Sequence, residues 1–401
     1  MKNAFLVDGL RTAIGSFGGS LSSVRADDLA AFVIKSLIGK FPSINPADFD
    51  DVILGCSNQA GDDNRNVARM AALLAGLPVN VPGETVNRLC ASGLSAINNA
   101  ARAIRSNEGD LFIAGGVEHM TRAPYVLSKS AKPFGTDQKM ADSSFGWRFV
   151  NPKMEALFGI DPMGMTAENL IERYNISRES QDRFALNSQN KARMAQTKGY
   201  FAEEIVPVEV VKSKKESFFF SNDEFMKPDT TMEVLSQLRP AFKKDGSVTA
   251  GNASGLNDGA AAAIIASDDA LNKYDIQPIA KIISSAVVGV EPRIMGIGPV
   301  EAVNLALKRA GLTLEDIDVI EINEAFAAQV LSCTRLLGLD DFDDRINMNG
   351  GAIALGHPLG MSGARIALSA AKTLKRTNKK YALISMCVGV GQGYAMIIEN
   401  V

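Results

Sequence analysis

Residues 90–116 read CASGLSAINNAARAIRSNEGDLFIAGG, and their pattern decides the fold. Leu94, Ile97, Ala101 and Ile104 recur at helical spacing along one face, and the apolar run Leu111-Phe112-Ile113-Ala114 follows, ending at Gly115-Gly116. The chain repeats this at residues 360–387, GMSGARIALSAAKTLKRTNKKYALISMC. There Ala367, Ala370, Ala371 and Leu374 form the stripe, and the strand from Tyr381 to Ser385 runs into Cys387. Upstream, residues 48–54 resemble residues 316–322, in each case acidic positions leading into a strand-like run. Phe49 and Ile317, Cys90 and Gly360, and Asp110 and Lys380 are offset by 268, 270 and 270 positions. An offset that steady across three elements predicts a duplicated unit.

Each unit alternates strand and helix, and its nearly continuous apolar strands suit sheets covered on both faces. Residues 121–247 have no counterpart in the second half; they mix Ser, Lys, Pro and Met around one helical stretch, Ser177 to Gln196. The expected organisation is an N-terminal half from residues 1–120 with 248–272, an inserted loop domain at 121–247, and a C-terminal half at 273–401. The fold class is α/β.

At 401 residues the chain can hold two or three domains, and 46% apolar with 22% charged residues is ordinary for a globular protein. A net charge of −3 supplies no basic field for nucleic acid. The first residues carry Lys2 and Asp8 around a short apolar stretch, unlike a signal peptide. No run approaches the roughly 18 apolar residues of a membrane helix. A cytoplasmic protein with no membrane partner is expected, its four cysteines reduced.

Four cysteines and two histidines make their surroundings informative. Cys90 lies where a loop enters a helix, whose N-terminal partial charge and free N–H groups favour thiolate. Ser92 and Gly93 then leave space at the sulfur, although a small buried core residue is the commoner fate of a free cysteine. His357 follows the glycine-dense turn Asn349–Gly356, the kind of backbone that ligands approach closely. His119, in Gly116-Val117-Glu118-His119-Met120, reads as a capping or surface residue. Cys387 opens Val388-Gly389-Val390-Gly391-Gln392-Gly393, whose exposed N–H groups suit an anion. A dinucleotide fingerprint is excluded there, because no βαβ unit follows. Two distant histidines without Cys-x-x-Cys provide no metal spacing.

These residues carry a resemblance to the thiolase superfamily, specifically to degradative 3-ketoacyl-CoA thiolases. It spans Arg11–Gly15, the Cys90 turn, Thr249–Gly259, Asn323-Glu324-Ala325-Phe326, the Gly356-His357-Pro358 turn and the Cys387 loop. Residues 59–69 and Gly146-Trp147-Arg148-Phe149 are most similar to the β-ketoadipyl-CoA thiolase branch. The resemblance implies a five-layered αβαβα fold, a homodimer or homotetramer, and coenzyme A as co-substrate with no permanently bound cofactor. It implies cleavage of 3-ketoacyl-CoA by CoA to acetyl-CoA and a shortened acyl-CoA through an acyl-cysteine, as in fatty-acid β-oxidation.

By the same resemblance Cys90 is the nucleophile, His357 its activating base and Cys387 the proton-transfer thiol. Asn323 holds a water, and the N–H groups of Cys90 and Gly389 form an oxyanion site. Met163, Phe242, Ser254, Ala325 and Phe326 line the pantetheine channel, and Lys227 lies near the CoA nucleotide. Two departures stand out: Val390 where the family commonly has glycine, and Pro162-Met163 where acetoacetyl-CoA-forming enzymes usually have His-Met. An acetoacetyl-CoA-forming acetyl-CoA acetyltransferase is one alternative; a non-catalytic acyl-CoA or lipid carrier on the same fold is another. A decarboxylating condensing synthase is disfavoured, since it needs two histidines beside its cysteine. Arg122, Lys129 and Lys132 are the basic residues available to a dicarboxylic acyl tail or to solvent.

Overall fold

The computed structural model describes residues 2–401; Met1, with which the expected N-terminal half begins, lies outside them. The principal strands are β1 (Ala4–Arg11), β2 (Asp51–Gly55), β3 (Gly83–Val86), β4 (Leu111–His119), β5 (Asn257–Ser267), β6 (Ala280–Gly289), β7 (Val319–Ile322), β8 (Tyr381–Val388) and β9 (Gln392–Asn400). The helices that shape the site are α1 (Ala26–Gly39), α2 (Val67–Leu74), α3 (Ser92–Arg105), α4 (Met163–Tyr174), α5 (Arg178–Thr197), α6 (Gly298–Ala310), α7 (Ala327–Leu336) and α8 (Leu359–Thr377).

The strands run side by side as β7-β8-β9-β6-β1-β5-β4-β2-β3. Outward from β1, pairing is antiparallel to β5, antiparallel from β5 to β4, and parallel from β4 to β2. Outward from β6 it is antiparallel to β9, antiparallel from β9 to β8, and parallel from β8 to β7. The repeat seen in the residues is therefore a repeat of topology. A short antiparallel contact, Phe5 with Lys281 and Leu6 with Ala280, joins the two sides. Between β4 and β5 the chain makes two small hairpins and adds α4 and α5, whereas β8 turns almost directly into β9.

Strand alternation sorts side chains between faces. Val52, Ile113 and Ile264 pack on α1 and α2, while Ile53, Phe112 and Ile265 pack on α3 and α8. On the other side Ile384, Met396 and Ile398 meet the same two central helices, and Leu383, Ala395 and Ile397 meet α6 and α7. The result is the expected five layers: helices, sheet, central helices, sheet, helices. Every residue of α8 from Gly360 to Ala371 is buried.

The central helices cross with their backbones nearly touching. A Cβ on Gly93 would lie 2.6 Å from the Gly360 carbonyl oxygen, and one on Gly363 would lie 2.3 Å from the Leu94 nitrogen. Only glycine permits this approach, which sets the first turn of α3 against the first turn of α8. One expectation is corrected here: Gly93 makes room for α8, not for the Cys90 sulfur. The helix expected from Cys90 starts at Ser92, because Leu89–Ala91 form a 3₁₀ turn. Ser177 serves as the N-cap of α5, its side chain accepting the Ser180 N–H.

Candidate active site

The Cys90 turn is shaped by its neighbours. Asn87 Oδ1 accepts the Leu89 N–H at 2.9 Å, while the Ser92 hydroxyl donates to the Leu89 carbonyl at 2.7 Å and accepts the Arg88 N–H at 2.9 Å. Arg88 then reaches the start of β9, donating to Gln392 Oε1 at 2.9 Å. The N–H groups of Gly389, in the loop between β8 and β9, and of Cys90 itself both act on the Cys90 sulfur, favouring its charged form. Val390 completes the loop at φ +62°, a region that β-branched residues rarely adopt and that costs about 1–3 kcal/mol.

His357 is placed from the other half. Gly356 has φ +105°, and a Cβ there would lie 2.5 Å from Asn257 Cγ. Asn257 accepts the His357 backbone N–H at 2.9 Å and donates to the Gly15 carbonyl at 3.0 Å. The ring is oriented by Ser362, one turn into α8. That hydroxyl donates to the Pro358 carbonyl at 2.8 Å, so at 2.7 Å from Nδ1 its oxygen accepts the imidazole proton. This assigns the proton to Nδ1 and leaves Nε2 as a base. Asn323, just past β7, points Nδ2 at Nε2 from 3.3 Å, and its Oδ1 has no partner among the described residues.

Burial decides the charges. It pushes His357 down to about 3, and the Arg365 guanidinium acts in the same direction, so the imidazole is neutral. It pushes the Cys90 thiol up to about 11, against the opposing pull of the Gly389 and Cys90 N–H groups. Cys387 is raised well above its ordinary value by burial and then by Cys90. The thiolate expected from the helix terminus is thus corrected: desolvation outweighs the end-of-helix charge, and the resting groups are thiols and a neutral imidazole.

The five residues expected to line a pantetheine channel are linked to one another by contacts. Met163, Ala325, Phe326 and Cys387 share one apolar cluster. Phe242 meets Phe326 edge-on at 6.2 Å between centroids. The Ser254 N–H and hydroxyl both donate to the Ala325 carbonyl, at 3.0 and 3.2 Å. Lys227 stands apart: it is exposed, its ammonium 5.9 Å above the Phe225 ring and its N–H bonded to Gln189 Oε1. Cys90, Gly389 and Met163 open onto a cavity of about 290 Å³ whose walls include Trp147, Arg148 and Glu118. A larger depression of about 470 Å³, bordered by Asp48, Asp110 and Lys273, holds none of these residues.

Several site residues escaped the sequence reading. Glu118 is buried, with Oε2 accepting from the Ser57 N–H and hydroxyl and the Gly360 N–H, and Oε1 accepting from the Asn58 N–H. It fastens the loop after β2 to the start of α8. An acid inside an otherwise apolar, glycine-rich strand was the available signal. Ser362 left no signal. His119 is corrected from capping or surface residue to core: it is buried between the Leu21 carbonyl at 3.1 Å and Asp258 at 3.3 Å. Arg122 is paired with Asp62, while Lys129 and Lys132 are exposed and line no part of the cavity. One group of ligating type, Cys56, Asp63 and Glu118, falls together, with the Cys56 thiol 3.5 Å from Asp63. Among the described residues no helix is long and apolar enough to cross a membrane.

Family models for the thiolase N-terminal domain and the thiolase C-terminal domain match residues 4–269 and 276–400. The chain is 58% identical over 401 residues to the β-ketoadipyl-CoA thiolase of Acinetobacter baylyi, covering all of both chains. It is 58% identical over 402 residues to the 3-oxoadipyl-CoA/3-oxo-5,6-dehydrosuberyl-CoA thiolase of Escherichia coli, again covering all of both. Among solved structures, human mitochondrial 3-ketoacyl-CoA thiolase in complex with CoA superposes with a TM-score of 0.92 at 44% identity, covering 100% of this chain and 98% of that one. Family models along nearly the whole length, and the shared fold, lead to one conclusion: the chain belongs to the thiolase family, acyltransferases that cleave 3-oxoacyl-CoA with CoA to acetyl-CoA and a shortened acyl-CoA.

Proposed function

We propose that this thiolase acts on 3-oxoacyl-CoA with a short dicarboxylic chain, of the 3-oxoadipyl-CoA type. The observation that carries this is the position of Trp147 and Arg148, from the branch-like segment 146–149, on the wall of the Cys90 cavity. At about 290 Å³ that cavity is at the small end of the roughly 300–1,000 Å³ range of ligand pockets, which suits a short chain. Relatives named for β-ketoadipyl-CoA and 3-oxoadipyl-CoA, aligned end to end, support it.

In this reading the Cys90 thiol passes its proton to His357 Nε2 as sulfur attacks the ketone carbon. The Cα–Cβ bond breaks, the acyl group stays on Cys90, and acetyl-CoA leaves as an enolate. Its oxygen is met by Nε2–H of His357 and by a water held by Asn323. Cys387 protonates the enolate carbon and becomes a thiolate, which then takes the proton of incoming CoA. The CoA sulfur attacks the acyl-Cys90 thioester, with the Cys90 and Gly389 N–H groups on the tetrahedral oxyanion, and the departing Cys90 thiolate recovers its proton from His357. That both N–H groups act on the Cys90 sulfur supports the oxyanion role. Met163, Phe242, Ser254, Ala325 and Phe326 take the pantetheine arm, and exposed Lys227 the nucleotide end. A cytoplasmic location and homodimeric or homotetrameric assembly accompany this reading.

The test compares kcat/KM for CoA-dependent thiolysis of acetoacetyl-CoA, 3-oxooctanoyl-CoA and 3-oxoadipyl-CoA. Preference for 3-oxoadipyl-CoA is expected; preference for either neutral substrate overturns the dicarboxylate assignment.

A further inference from the structure

Among the described residues, Arg148 is the one basic side chain on the wall of the Cys90 cavity. Its guanidinium is oriented by two backbone carbonyls on the same wall: Nη1 donates to Ser143 O at 3.0 Å and Nη2 to Asn58 O at 3.4 Å. A guanidinium has five N–H donors, so three remain. Among the described residues no carboxylate lies within ion-pair distance of it, in contrast to Arg122, which Asp62 neutralises. The other charged-type residue on the wall, Glu118, already receives four hydrogen bonds from Ser57, Asn58 and Gly360 and makes no ion pair with Arg148. An unpaired cation is thus held against a small, half-enclosed, largely apolar space that also contains the nucleophile.

We propose that Arg148 forms a subsite for the terminal carboxylate of the acyl group carried on Cys90. This rests on the dicarboxylate reading above. Cleavage of 3-oxoadipyl-CoA leaves a succinyl group on Cys90, four carbons ending in a carboxylate. Such a chain places its charge within the same cavity as the thioester, where a charge-assisted, forked contact to a guanidinium is stronger than one to water-exposed lysine. The anchoring pair of backbone carbonyls keeps the fork oriented in the absence of substrate, so little ordering cost falls on binding.

The test uses two substrates of equal length, 3-oxoadipyl-CoA and 3-oxohexanoyl-CoA, which differ only in a terminal carboxylate against a methyl. For Arg148→Gln, the ratio of kcat/KM between them is expected to fall about 10- to 100-fold, with Arg148→Lys intermediate. A ratio within twofold of wild type in both variants, or an equal loss on both substrates, overturns the subsite while leaving the dicarboxylate reading standing. A wild-type enzyme that favours 3-oxohexanoyl-CoA overturns that reading itself. A second measurement needs no substitution. Phenylglyoxal labelling of Arg148 in the wild-type enzyme, followed by mass spectrometry, is compared after acylation of Cys90 from succinyl-CoA or butyryl-CoA. At least fivefold slower labelling of the succinyl form is expected, and equal labelling of both forms rejects the subsite.

Discussion

The Ser362 hydroxyl lies 2.7 Å from His357 Nδ1 while donating its own proton to the Pro358 carbonyl, so the two residues fix which ring nitrogen is basic. Ser362→Ala removes the acceptor of the Nδ1 proton without touching the sulfur or the cavity. A general base contributes roughly 10²–10⁴-fold, and a base free to rotate forfeits part of that. The expected outcome is a ten- to hundredfold lower kcat with KM changed little, and Ser362→Thr restoring most of it. A KM effect as large as the kcat effect would show a packing role instead.

Cys90 and Cys387 differ in what they do first. Cys90→Ser is expected to abolish the burst of acetyl-CoA from a 3-oxoacyl-CoA in rapid-quench experiments. Cys387→Ser should still form some acyl-enzyme, detectable by mass, while turnover falls. Full retention of turnover in both variants is incompatible with the assignment.

A thiol pushed up to about 11 beside a neutral imidazole predicts a distinctive alkylation profile. The thiolate is the reactive species, so iodoacetamide labelling of Cys90 in the free enzyme should rise about tenfold per pH unit from neutrality to about pH 9, without a plateau. A plateau already reached by pH 7 would mean a thiolate–imidazolium pair at rest. Cys333, raised to about 12 by burial, should label far more slowly throughout.

Val390 holds a left-handed backbone with a β-branched side chain that is 41% exposed. Its strain, about 1–3 kcal/mol, exceeds the roughly 0.5–1 kcal/mol that glycine costs through the unfolded chain. Val390→Gly should therefore leave the melting temperature unchanged or raise it. A fall of several degrees would show that the isopropyl group supports the loop by packing.

Stability should also respond to Glu321. Burial raises its carboxyl to about 8, outweighing the Arg365 guanidinium 4.0 Å away. A folded-state value above the unfolded one stabilises fully below the ordinary carboxylate range, and that contribution is lost as pH rises toward about 8. Glu321→Gln should flatten the decline in melting temperature between about pH 5 and 8; an unchanged slope would assign the decline to other groups.

The residues by themselves determined the duplicated α/β plan, because helical and strand periodicity fix which side chains share a face, and the stripe of Leu94, Ile97, Ala101 and Ile104 is answered by a second stripe of Ala367, Ala370, Ala371 and Leu374. They also singled out Cys90, His357 and Cys387, since rare chemistry-bearing residues in glycine-rich turns have few alternative readings. Tertiary structure alone decided the rest. Gly93 against Gly360, Ser362 beside His357, Glu118 across Ser57 and Gly360, and Arg148 on the wall of the Cys90 cavity bring together residues 5 to 267 positions apart, set by how the layers stack. The protonation of the site followed the same division: local position at a helix end argued for a thiolate, but burial is a property of the whole packed chain, and it outweighed the local field.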